Sequence, residues 1–396
     1  MAQFLPTCSR RLLRLAGALL VGAALAACAG SMPRTPYTQN DSTLGAPMGI
    51  PDVRIWADGS LAELAPVLAR FRAERAKVHF DHYSILAISG GGSDGAYGAG
   101  LLNGWSTTGK RPEFSVVTGV STGALTSPFA FLGPAYDAKL KDVYTTTDTN
   151  DILGGAPVLG LVSGDGAFNT GPLQQMVAKY CDAQMLAEIA AQHRAGRRLF
   201  VLTTDLDAQR PVMWDMGAIA NSGNPRALDL FRRVLVASAS IPVAFQPMMI
   251  EVIRDNFSFK EMHVDGGTTM QVLTVPTKIA AVGGGEVAKA KTRSFYVLLN
   301  KKFEPSFDVT KASTFAIAAR SFDTLMKSAT FGTVYDTYTY AMRYKYKFQL
   351  GFIPSSFALK SKSPFDKPYM NALFQVGYEA GLRGGDWYDI PPGLER

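Results

Sequence analysis

A chain of 396 residues, 47% hydrophobic and 18% charged, has the balance of a globular protein with a sizeable core, which excludes a disordered chain. The formal net charge is +7, and no dense run of Lys and Arg accompanies it, which argues against a nucleic-acid partner. Three of the positive charges, Arg10, Arg11 and Arg14, fall in an N-terminal stretch without acids, so the remainder is only mildly basic.

Residues 1–27 read as a signal peptide. A basic n-region leads into the apolar run from Leu15 to Ala24, and small residues precede Cys28. The apolar run is shorter than the roughly 20 residues a spanning helix needs. Leu25-Ala26-Ala27-Cys28 resembles a bacterial lipobox, which implies lipidation of Cys28 and a membrane partner through that anchor. The expected location is the bacterial cell envelope. Ala29, which is not an acid, favours the outer membrane over the inner one by the sorting rule for such proteins. Of the 3 cysteines, Cys8 would be removed and Cys28 lipidated, so no disulfide can form within the mature chain. Cys181 is expected to be a buried apolar residue.

Residues 28–55, rich in Pro, Gly, Ser and Thr, read as a flexible tether, and 56–396 as one domain. Ser60 and Glu63 form a capping-box pattern that opens a helix with Leu61, Leu64, Leu68 and Phe71 on one face. A strand over 83–88 runs into Ser89-Gly90-Gly91-Gly92, and a helical pattern continues to Trp105. Residues 113–118 form a second short β run, closed by Gly119, with a helix starting after Ser121. Further strands are read at 199–204, 248–253, 262–264 and 295–299, and a helix at 226–240. Strands alternating with helices predict a parallel sheet covered by helices. Beyond residue 300, a helix is read at 311–331 and another at 365–382. The alternation of Tyr338, Tyr340, Met342, Tyr344, Tyr346 and Phe348 with polar residues fits a strand.

Three segments carry chemistry. Gly119-Val120-Ser121-Thr122-Gly123 fits a nucleophile elbow, in which a tight strand-to-helix turn exposes a serine at the N-terminus of a helix. A serine hydroxyl needs a base. The chain has 4 histidines, His79, His82, His193 and His263, and none follows residue 263, so a Ser-acid-His order fits poorly. His193, in a polar helix-end context, is expected to be solvated. Asp265, at a strand end before Gly266 and Gly267, is the better base. His263 shares its strand face and is expected to pack or meet solvent. Gly90-Gly91-Gly92-Ser93-Asp94-Gly95 can supply N–H donors to an oxyanion, with Gly90, Gly91, Gly92 and Thr122 as candidate donors. The same residues match a dinucleotide fingerprint, with Glu113 near the ribose-binding position. Met213, Trp214 and Met216 could line an acyl pocket or sit in the core.

In this order the three motifs resemble the patatin-like phospholipases, over roughly residues 83–300. The stretch from Ala239 to Pro247 is similar to that family's segment ahead of its aspartate. The resemblance implies a three-layer α/β/α fold with a mainly parallel central sheet, and a Ser121–Asp265 dyad that hydrolyses phospholipid, lysophospholipid or other acyl esters. It implies no metal and no cofactor. For the region after 300, it implies a helix running into a strand rather than the strand that the alternation suggests. Asp94 departs from the pattern, because many members carry Arg or Lys there, and this weighs against anionic head groups. The alternatives are an inactive patatin-fold lipoprotein that acts as an envelope binding or scaffold protein and, more distantly, a dinucleotide enzyme.

Overall fold

The computed structural model describes residues 34–394 apart from 76–77, 79, 155–167, 169, 243, 275–289, 306 and 308. The signal peptide and Cys28 lie outside the described residues.

The centre of the fold is five parallel strands in the order β10-β9-β3-β4-β5. They are β3 (His82–Ile88), β4 (Val116–Val120), β5 (Arg198–Asp205), β9 (Thr292–Lys302) and β10 (Lys347–Ile353). Their near-continuous apolar runs are those of strands covered on both faces. Alternate residues go to opposite cores: Leu86, Ile88, Val117 and Val201 join one buried cluster, and Ile85, Ala87, Val116 and Leu202 join the other. The fold is therefore three-layered α/β/α with the parallel strands at its centre.

Antiparallel strands extend it. These are β1 (Ala46–Pro47), β2 (Arg54–Trp56), β6 (Arg210–Asp215), β7 (Met248–Arg254) and β8 (Phe257–Asp265). Strand β6 pairs with Phe200–Asp205 of β5. On the remaining edge of β5, β4 pairs with residues 198–202, and β8 takes over at 203–205. Strands β4 and β8 therefore meet end to end, which brings Asp265 to the end of the strand that carries Ser121.

Five helices matter for the site: α1 (Gly95–Thr107), α2 (Thr122–Leu132), α3 (Ala227–Ser238), α4 (Thr314–Arg343) and α5 (Lys367–Leu382). Helices α1, α2, α3 and α5 contribute to one core, and α4 to the other. The Ser60–Glu63 capping box is present, with Ser60 N–H donating to Glu63 at 2.8 Å and Glu63 N–H to Ser60 Oγ at 3.3 Å.

Two expectations are corrected. The described part of the expected tether, 34–55, is folded onto the domain. Arg34 forms an ion pair with Asp207, Tyr37 stacks on Phe259 at 4.2 Å, and Met48, Ile50 and Val53 are buried. Met48, Ile50 and Val53 find places in the core, and these anchors order a Pro- and Gly-rich segment. The alternating aromatics do not form one strand either. Helix α4 runs through Arg343, Lys345 turns the chain with φ of +57°, and β10 begins at Lys347. The buried stripe Met326, Thr330, Val334, Thr337 and Ala341 has helical spacing, and it outweighs the alternation.

Candidate active site

Ser121 caps β4 and opens α2 with φ of +55° and ψ of −126°, a conformation that L-residues rarely adopt and that stores strain at functional turns. The elbow closes because its glycines have no side chains. A Cβ on Gly119 would lie 2.4 Å from Gly123 O, and one on Gly123 2.4 Å from Ile88 O. The backbone is pinned from α3: Ser121 N–H donates to Ser238 Oγ at 3.0 Å, and the Ser238 hydroxyl donates to Leu202 O at 2.6 Å.

The Ser121 hydroxyl donates to Asp265 Oδ2 at 2.6 Å. The other carboxylate oxygen accepts from Gly267 N–H at 2.7 Å. The Asp265 backbone is fixed on both sides, its N–H by Ser240 O at 2.9 Å and its carbonyl by the Thr204 hydroxyl at 3.1 Å. Gly266 and Gly267 are required by close approach, since added Cβ atoms would stand 2.3 Å from Leu202 O and 2.2 Å from Gln271 Nε2. Burial pushes the Asp265 carboxyl up to about 6, although the bonds from Ser121 and Gly267 pull the other way.

His263 is fully buried and turned away from this pair. It contacts the Thr203 hydroxyl at 3.0 Å and Glu261 at 3.2 Å. Asp205, Glu261 and His263 gather closely enough to hold an ion, but Arg54 is already paired with Glu261. Burial opposes the Glu261 charge, yet Arg54 and His263 hold its carboxyl well below the carboxylate range. The buried Arg54–Glu261 ion pair, with His263 against Glu261, fixes β8.

The glycine loop joins β3 to α1. Gly90 N–H donates to Gln271 O at 3.1 Å, so Gly90 drops out as an oxyanion donor. It keeps the loop close to the nucleophile instead, since a Cβ there would lie 3.1 Å from Ser121 Cβ. Among the described residues no acceptor pairs with the N–H groups of Gly91, Gly92 or Thr122. Gly92 has φ of +58°. Thr122 and Gly95 are locked together, with the Thr122 hydroxyl 2.6 Å from Tyr144 OH and a Gly95 Cβ position 2.3 Å from Thr122 Oγ1.

Asn300, at the end of β9, holds this loop and was not visible in the sequence reading. Its N–H donates to Ser89 Oγ at 2.8 Å, its Nδ2 to Ser89 O at 3.0 Å, and its Oδ1 accepts from Gly98 N–H at 3.1 Å. A Cβ on Gly91 would stand 2.2 Å from Asn300 O. A polar residue closing the apolar run Val297-Leu298-Leu299 was the available signal.

A cleft of about 400 Å³ opens over these groups, lined by Gly91, Gly92, Ser121 and Asp265 and walled by Lys301, Asp323, Met326, Lys327 and Tyr369. The region after 300 thus builds the site. Asp94 also lines it and accepts from Tyr369 OH at 2.7 Å. Burial pushes its carboxyl up to about 6. On the far side of Ser121 a narrow apolar pocket, about 30 Å³, is lined by residues including Leu125, Ile152, Leu173, Met176 and Phe245.

Other sequence candidates fall elsewhere. Met213, Trp214 and Met216 are core residues, absent from both cavity linings. His193 is not solvated: its side chain is only 11% exposed and lies 3.6 Å from Asp215. Cys181 is buried, and burial pushes its thiol up to about 12. Glu113 precedes β4 and pairs with Arg197 at 2.9 Å. It sits at the opposite end of the parallel strands from the glycine loop, where no ribose bound at that loop would reach it.

The fold and the three motifs gathered at one end of the sheet define a patatin-type domain. Residues 86–281 match the patatin-like phospholipase family model. Among solved structures the chain is similar to VipD from Legionella pneumophila at 13% identity, covering 79% of this chain and 69% of that one with a TM-score of 0.37. It is also similar to the type III effector protein ExoU at 14% identity, covering 77% and 53% with a TM-score of 0.22. No curated protein sequence matches the chain.

Proposed function

We propose that the protein is a lipid acyl-ester hydrolase with Ser121 as nucleophile and Asp265 as general base. The observation that carries this reading is the 2.6 Å hydrogen bond between Ser121 Oγ and Asp265 Oδ2 at the floor of an open cleft, and the family match supports the lipid substrate. Asp265 takes the hydroxyl proton as Oγ bonds to the ester carbonyl carbon. The carbonyl electrons move onto oxygen, and the N–H groups of Gly91 and Gly92, with that of Thr122 beside them, donate hydrogen bonds to the oxyanion. The intermediate collapses, the alkoxide leaves with the proton from Asp265, and the acyl group stays on Ser121. Water, deprotonated by Asp265, bonds to the acyl carbon; the acyl–Oγ bond then breaks, the acid leaves, and Asp265 returns the proton to Ser121 Oγ. The apolar pocket beside Leu125 and Phe245 has room only for the acyl carbons next to the ester, and the larger cleft takes the rest of the substrate.

The test is hydrolysis of p-nitrophenyl esters and lysophospholipid, together with fluorophosphonate labelling located by peptide mass spectrometry. Turnover with the label on Ser121 is expected. A folded protein that neither turns over nor labels would favour the binding or scaffold role.

The raised Asp265 carboxyl sets the pH dependence. The base must be ionised, so kcat/KM is expected to fall below pH about 6, tenfold per unit. A flat profile from pH 7 to 5 would exclude Asp265 as the base.

Cys28 is proposed as the lipid anchor in the envelope, on the strength of the basic, apolar and small-residue segments before it. Labelling with a palmitate analogue in cells should be lost in Cys28→Ser, and label that persists in that variant would remove the proposal.

A further inference from the structure

The cleft holds three lysines, and they are not equivalent. Lys302 donates to Phe357 O and Lys327 to Glu304 O, so both ammonium groups are tied to backbone. Lys301 lines the same cleft, is half-buried, and has no hydrogen bond or ion pair among the described residues. It follows Asn300 directly, and the contacts of Asn300 with Ser89 and Gly98 anchor the end of β9 against the glycine loop. The carboxylates lining this cleft come from three elements: Asp94 on the loop, Asp265 at the end of β8, and Asp323 on α4. The loop itself brings only a negative side chain to a site where a further negative charge must form on the oxyanion.

We propose that Lys301 is a positioning residue of the hydrolytic site, whose ammonium, delivered by β9 into the cleft that Asp94 and Asp265 also line, acts as the counter-charge to these two carboxylates. Asp265 becomes neutral as it takes the Ser121 proton, but the charge on Asp94 opposes the developing oxyanion, and an unpaired cation in the same cleft offsets it. The charges respond to one another in the expected directions. Burial works against the Lys301 ammonium while Asp323, Asp94 and Asp265 support it, and Lys301 in turn pulls down the burial-raised carboxyls of Asp94 and Asp265. Lys302 acts on Asp94 from the rim, and the Tyr369 hydroxyl caps Asp94 from α5. Lys327 sits beside Lys301 and Asp323, but its ammonium is directed to Glu304.

This role rests on the reading of Ser121 and Asp265 as the reacting pair, so its test has one readout that does not require turnover. The titration of Asp265 is followed by carbon NMR of the carboxylates in the parent, Lys301→Met, Lys301→Arg and Lys302→Met, and beside it the pH dependence of kcat and KM. In Lys301→Met the Asp265 midpoint is expected to rise by about one pH unit or more. The acid limb of kcat should move with it, and KM should change by less than about twofold. Lys301→Arg restores the parent midpoint, and Lys302→Met leaves it in place. An Asp265 midpoint unchanged in folded Lys301→Met overturns the proposal, and so does an unchanged kcat profile with a raised KM, which would make Lys301 a substrate-binding group. If Lys301→Met does not fold, Lys301→Gln, which keeps a polar tip, carries the same comparison. A parent without esterase activity would sink the hydrolase reading alone, and the NMR midpoint would still decide whether Lys301 governs the charge on Asp265.

Discussion

Asp265→Asn is expected to lower kcat by about 10³-fold or more, and Ser121→Ala by at least as much. The asparagine keeps the shape of the site and reverses one hydrogen bond. Gly267 N–H, 2.7 Å from Asp265 Oδ1, needs an acceptor, so the asparagine carbonyl must stay there. That leaves the amide NH₂ facing Ser121 Oγ, where the carboxylate accepts at 2.6 Å. A donor now meets the hydroxyl that should be deprotonated, and nothing takes its proton. Stability moves the other way. Burial raises this carboxyl above its unfolded value, so its ionised form disfavours folding at pH 7, and the penalty grows as pH rises through about 6. The neutral amide removes that penalty, and Asp265→Asn is expected to melt no lower than the parent at pH 7. Loss of activity with retained or raised melting temperature identifies a functional base. Loss of both together would mark Asp265 as a structural residue.

The parts of the site legible in the sequence are those whose requirements are local. Gly119 and Gly267 stand where a Cβ would collide with atoms of their own turn, Gly123 and Gly266 where it would collide with the backbone of a neighbouring strand, and all four sit at the fixed spacings of tight turns after strands, which is the pattern the sequence displays. The parallel strands were legible because burial on both faces demands unbroken apolar runs. What was not legible depends on distant segments meeting. Asn300 reaches Ser89 across 211 residues, and Tyr369 reaches Asp94 across 275. Gly90 was misread as a donor because its N–H is consumed by Gln271, a partner that no local pattern names. His193 looked solvated from its polar neighbours, yet Gly217 packs against its ring. In each case the packing of segments distant in sequence, not the local sequence, decides the contact.

The seam between α1 and α5 gives the second large effect, one whose sign helix propensity alone would get wrong. Gly100 and Gly104 on α1 face Gly377 and Gly381 on α5, with the same spacing of four on both helices. An added Cβ at Gly100 would stand 2.0 Å from Phe374 O, at Gly104 2.0 Å from Tyr378 O, at Gly377 2.1 Å from Tyr97 O, and at Gly381 2.3 Å from Leu101 O. The helix backbones touch, and no side chain can move aside to make room. In an open helix Gly→Ala stabilises by about 0.5–1 kcal/mol. Gly332 on α4 provides that reference, because an added Cβ there meets nothing within 4 Å. Gly332→Ala is expected to gain stability by about that amount, whereas Gly377→Ala should lose about 1–3 kcal/mol from overpacking despite the same propensity gain. The helices must separate to admit the methyl group. Helix α1 carries Gly95 and the glycine loop at its N-terminus, and α5 carries Tyr369, so separation also displaces the oxyanion donors and lowers kcat. Urea unfolding of the two variants checks the pair. If both substitutions shift the midpoint upward, the helices are not in backbone contact, and α5 then supports the oxyanion loop through Tyr369 and Asp94 alone.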